Sequence, residues 1–143
     1  MIINQRVLKR INWSVFFTLI FAGCILAILV LMDVNSAAQS FDSDQSRIEF
    51  RWSSIHAIFA VIMILLSVLL GLGWKRLFPF NVPVALIIAG LWYTLFFLTF
   101  TVGWVRAAGF IGLVAAGSAG ILLIAGYTIY FVKKKVERSS VVK

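Results

Sequence analysis

The chain has 143 residues, of which 62% are hydrophobic and 13% charged, and its formal net charge is +8. An ordinary soluble domain is about half apolar and about a quarter charged, so this composition excludes one and calls for lipid as the solvent. The basic residues flank apolar runs and form no separate basic domain, which argues against nucleic acid as a partner.

A helix that spans a bilayer needs about 20 apolar residues. Four segments meet this, 13–32, 54–74, 82–105 and 107–132, and none contains Asp, Glu, Lys or Arg. Strand-like alternation is absent, which argues against a barrel. The expectation is an all-α membrane protein, a four-transmembrane-helix bundle, with residues 1–143 as one transmembrane domain.

Span 1 follows Arg6, Lys9 and Arg10. Its apolar run of about twenty residues exceeds the h-region of a signal peptide, and a retained anchor is expected despite the small residues Ser36-Ala37-Ala38. Asn12-Trp13-Ser14 matches the glycosylation pattern, but it abuts the membrane on the expected cytoplasmic side, where the pattern is not used. Cys24 is the one cysteine and sits in mid-span, where a small core residue is expected.

Residues 33–53 are expected to be a polar outer loop. Asp42 and Asp44 form a D-x-D pair without the glycine turn or distal glutamate of a calcium loop. Span 2 begins near His56, the one histidine. Zinc and haem sites need several ligands, so His56 is expected to be a dispensable polar residue at headgroup depth. The connection after span 2 carries Lys75 and Arg76, and Pro79 and Pro83 mark the end of one helix and the start of the next.

Span 3 places Trp92, Phe96, Phe100 and Trp104 at four-residue spacing. Span 4 places Ala108, Gly112, Ala116 and Gly120 at the same spacing, and small residues so arranged let a second helix approach. With a tight turn centred on Arg106, the two stripes fall in register. Contact is expected at Phe100–Gly112 and Phe96–Ala116. After span 4, Lys133, Lys134, Lys135 and Arg138 form a basic, frayed tail facing lipid, where each charge near anionic lipid contributes about 1 kcal/mol.

Ten of the thirteen basic residues lie on one side of the spans, and Arg47, Arg51 and Arg106 on the other. The positive-inside rule then puts both termini in the cytoplasm. Aromatics are expected as interfacial belts, with Trp13, Trp74, Tyr127, Tyr130 and Phe131 at the inner boundary and Trp52 and Trp104 at the outer one.

No Asp, Glu, Lys or Arg occupies the expected hydrocarbon interior, which argues against proton-coupled transport. No serine or cysteine has an evident base partner. The expected role is therefore non-enzymatic, with no cofactor, no metal and no catalytic residues: a scaffold, membrane organiser or accessory subunit of a multi-pass membrane assembly. Its partners would be the bilayer, anionic lipids, other membrane subunits or a second copy. The alternative is a small oligomeric pore, holin-like or solute-conducting, lined by Ser14, Thr18, Ser67, Thr94, Thr101, Ser118 and Thr128.

Two segments carry a family likeness. Ser46-Arg47-Ile48-Glu49-Phe50 leads into span 2, and Phe96-Phe97-Leu98-Thr99-Phe100-Thr101-Val102-Gly103 closes span 3. With the four spans, they resemble the fungal-type MARVEL-like four-helix membrane proteins. Those proteins often have a larger second outer loop than the turn expected here. The resemblance implies cytoplasmic termini, a role in membrane-domain organisation or vesicle traffic, and no catalysis.

Overall fold

A computed structural model describes residues 5–40 and 50–141. Four α-helices run in chain order: α1 Gln5–Ser40, α2 Ser54–Gly73, α3 Asn81–Phe100 and α4 Ala107–Val141. All four are long and apolar enough to cross a membrane, and no strand occurs among the described residues.

The helices divide their burial unequally. Half of the most apolar window of α3 is buried, against 0% for α1, 6% for α2 and 11% for α4. The third helix is therefore the core element, and the others pack around it. This follows from α3's residues: Gly90, Thr94 and Pro83 are small or compact, so neighbouring backbones can come close.

Two helices differ from expectation in extent. α1 has 36 residues, about 54 Å at 1.5 Å per residue, well beyond the roughly 30 Å hydrocarbon thickness. It continues through residues 33–40, which were expected in the outer loop. α4 likewise continues through Val141, so the basic segment after residue 132 is helical rather than frayed. Asp42, Asp44 and Arg47 lie outside the described residues.

The α2–α3 connection is a compact turn. Leu77 accepts bonds from the N–H groups of Phe80 and Asn81 at 2.6 and 3.0 Å, and the Phe78–Pro79 peptide is cis. Pro83 falls in the first turn of α3, where a missing N–H leaves no intrahelical bond unmade.

The α3–α4 connection is longer than the tight turn expected at Arg106. α3 stops at Phe100 because Thr101 is extended, with its N–H and hydroxyl both bonded to the Phe97 carbonyl at 3.1 and 2.6 Å. Gly103 then takes φ +65°, a left-handed conformation that a Cβ would strain. A 3-10 helix, Gly103–Arg106, leads into α4.

Candidate functional site

The tightest packing joins α3 to α4, and the small residues of α4 make it. A Cβ built on Gly109 would stand 3.0 Å from Phe97 Cβ and 3.2 Å from Thr94 Cα. One on Gly120 would stand 2.6 Å from Ile87 and 2.9 Å from the Pro83 carbonyl. One on Gly112 would overlap the Tyr93 ring. On the α3 side, a Cβ at Gly90 would come within 2.8 Å of Ala116 Cβ. Thr94 Oγ1 lies 2.9 Å from both the Gly90 and Gly109 carbonyls, so a hydroxyl links the two helices where the backbones are closest.

This geometry corrects the expected register. Ala116 faces Gly90, not Phe96, and Gly112 faces Tyr93, not Phe100. The chain reverses near Gly103, about three residues before Arg106, so the residues facing Gly112, Ala116 and Gly120 are displaced by about five to seven positions along α3. Helix rotation adds to this. Phe96 is about 100° around the helix from Phe97, the residue that faces Gly109. Ala108 packs against the buried pair Phe97 and Val105.

The aromatic stripe of α3 turns elsewhere. Trp92, Phe96 and Phe100 are partly exposed and line a cavity of about 400 Å³ with Phe50 and Trp52, the residues leading into α2. Phe96 and Phe100 have ring centres 5.1 Å apart, and Phe50 lies 5.8 Å from Phe100. The Arg51 N–H bonds the Thr99 carbonyl at 2.8 Å and ties this leading segment to the end of α3. Further along α3, Trp92 Nε1 donates to Ser67 Oγ at 3.3 Å, which gives the indole N–H a partner on α2. Trp104 lies in the 3-10 helix and is exposed.

A second cavity, about 470 Å³, lies under the middle of α1, between it, α3 and α4. Cys24, Gly23, Tyr93, Gly112 and Ala116 are among its walls. Further along α1, Ala27 and Val30 touch the Phe97–Val105 cluster.

At the opposite end, α1 is held by a buried polar group. Asn12 is fully buried, and its Nδ2 donates to the Pro79 carbonyl at 2.7 Å. The Tyr127 hydroxyl donates to Asn12 Oδ1. One side chain thus connects α1, the α2–α3 turn and α4. Beside it, buried Asn81 donates from Nδ2 to the Trp74 carbonyl at 3.2 Å and accepts the Val82 N–H at 2.9 Å. Tyr127 was expected in the inner belt; it points inward because Asn12 supplies the acceptor that a buried hydroxyl needs. At the same end, Trp13 lies against Trp74, with ring centres 6.0 Å apart, and Phe80 against Phe131 at 6.4 Å.

Asn12, Asn81, Tyr127, Tyr93 and Thr94 are the packing residues that sequence reasoning missed. A signal existed for the first. An asparagine at the edge of an apolar run is costly without a partner once buried, which is a better reading of Asn12 than a glycosylation pattern.

His56 bonds Ser53 Oγ through Nδ1 at 2.8 Å at the start of α2, and its ring lies 6.1 Å from Trp52. Among the described residues, no group of three or more His, Cys, Asp or Glu side chains could hold a metal ion. Lys133 and Lys135 are exposed and Lys134 half-buried on the last turns of α4, which also contain Arg138. No family model, no curated protein and no solved structure matches the chain, so none of them bears on the MARVEL-like resemblance.

Proposed function

We propose that this chain is a multi-pass membrane protein with cytoplasmic termini that acts without catalysis, as a scaffold, membrane organiser or accessory subunit. One observation carries the reading. Few residues in the apolar windows of α1, α2 and α4 are buried within the monomer, and large side chains such as Phe21, Leu72 and Leu122 are exposed. Such faces suit partner helices, a second copy or lipid, and helix association in lipid is driven by packing and interhelical bonds. The likeness to MARVEL-like proteins points the same way.

The pore alternative finds less support. Of its seven candidate lining hydroxyls, five bond to backbone carbonyls: those of Ser67, Thr94, Thr101, Ser118 and Thr128. A hydroxyl committed in this way lines a water path poorly.

Cross-linking in native membranes, purification and mass spectrometry test the scaffold reading. A stoichiometric membrane partner or a defined oligomer is expected, with no solute flux from liposomes holding the protein alone. Flux from such liposomes would favour the pore. Sidedness is tested in a Cys24→Ser background. Ser43→Cys should label from outside the cell and Ser139→Cys should not; the reverse pattern would overturn the topology.

A further inference from the structure

A third cavity, about 290 Å³, opens between α1 and the α2–α3 turn, at the end of the bundle that carries both terminal segments. Lys9, Asn12 and Trp13 line it from α1, Trp74 and Lys75 from the turn, and Asn81 from the start of α3. Two lysines far apart in sequence converge on one pocket that no acidic residue lines. Neither ammonium group bonds or pairs with any described residue. Arg10 and Arg76, next to them in sequence and exposed, add to the positive potential. Like charges gathered around an empty space repel, and an anion between them reverses the sign of that interaction.

The floor and walls narrow the class of anion. Asn12 and Asn81 are buried, and each amide nitrogen donates to one backbone carbonyl. An amide nitrogen has two donors, so each retains a second N–H. The walls are the paired indoles of Trp13 and Trp74, a ring type that settles at headgroup level. Cationic groups and amide donors beside indoles at the edge of an apolar bundle match a ligand with a charged head and an apolar body.

We propose that this pocket binds the phosphate headgroup of an anionic phospholipid in the cytoplasmic leaflet. Basic pockets between spanning helices on that side are suited to such headgroups. The site is separate from the Lys133–Lys135 tail, and it rests on the four-span membrane reading above.

Native mass spectrometry of the full chain in detergent tests it, with phosphatidylglycerol, phosphatidylcholine and inorganic phosphate as probes. The wild type should bind one phosphatidylglycerol more tightly than phosphatidylcholine. Lys9→Gln/Lys75→Gln should weaken that first adduct about 30-fold, from about fivefold for each charge lost. Lys9→Arg/Lys75→Arg, which keeps the charge, should retain it, and Lys133→Gln/Lys135→Gln should leave it within twofold. Equal loss in the two Gln variants would overturn the site, as would a loss below threefold in Lys9→Gln/Lys75→Gln. Equal binding of the two lipids, or displacement by millimolar phosphate, which would mark a soluble-anion site, would also overturn it. Alkali-resistant membrane association of each variant is measured alongside. Loss of it in the wild type removes the membrane reading itself, whereas intact insertion with unselective binding removes only the site.

Discussion

α4 and α1 meet α3 in opposite ways. α4 comes so close that added methyl groups at Gly109, Gly112 and Gly120 would collide with Phe97, Tyr93 and Ile87. α1 spans a cavity of about 470 Å³, and a Cβ at its Gly23 would reach only ordinary contact, 3.8 Å from Tyr93. Both seams use small residues, yet only one is filled. The difference lies in what the small residues face. Along α4 they meet backbone and the bases of side chains, so removing bulk shortens the distance between helices. Along α1, Gly23 comes no nearer than ordinary contact with Tyr93, Ala22 and Gly23 line one cavity with Gly112 and Ala116, and the removed bulk is left as space. Without a hydrophobic drive between helices in lipid, close dispersion contact is what holds a pair. The α3–α4 hairpin is therefore the stable unit, and α1 is fastened to it at its two ends.

Bulk added to the filled seam should have the largest effect. Gly120→Leu must displace Ile87 and press on the Pro83 carbonyl, and overpacking of this kind costs about 1–3 kcal/mol. Gly117→Leu, where nothing lies within 4 Å, should change stability by under about 0.5 kcal/mol. Unfolding in mixed micelles measures both, and equal losses would break the comparison.

Next comes the fastening of α1. Asn12→Ala leaves the Tyr127 hydroxyl and the Pro79 carbonyl without their partner, at a cost of about 1–3 kcal/mol for buried groups. Adding Tyr127→Phe to it should cost less than the sum of the two single changes, since both act on one bond. Strict additivity would show that Asn12 and Tyr127 do not act together.

The number and order of the helices were legible because hydropathy over about 20 residues decides them without reference to any neighbour. The small stripe of α4 was legible for the same reason, since its spacing is local. Its partner was not. That depends on where the chain reverses, and the reversal is set by Thr101 capping onto Phe97 and by a positive φ at Gly103. A shift of about three residues in the turn replaced Phe96 with Gly90 opposite Ala116. The aromatic stripe was visible as a period, but period alone does not say which neighbour a face meets. Here it meets the segment before α2, including Phe50 and Trp52. The polar fastening at Asn12 joins residues distant in the chain, and no spacing rule connects Asn12 to Tyr127. The end of α1 at Ser40 was hidden by a polar composition that reads as loop.

The most direct test of the filled and hollow seams is a paired one, in which the same side chain is added to each. Gly112→Leu and Gly23→Leu both bring bulk toward Tyr93, from opposite sides. Unfolding of the two variants by SDS in mixed micelles compares them on one scale. Gly112→Leu should lower stability by about 1–3 kcal/mol through overpacking. Gly23→Leu should leave it unchanged or raise it, because the leucine enters open space. Equal destabilisation by the two, or a greater loss from Gly23→Leu, would contradict the account.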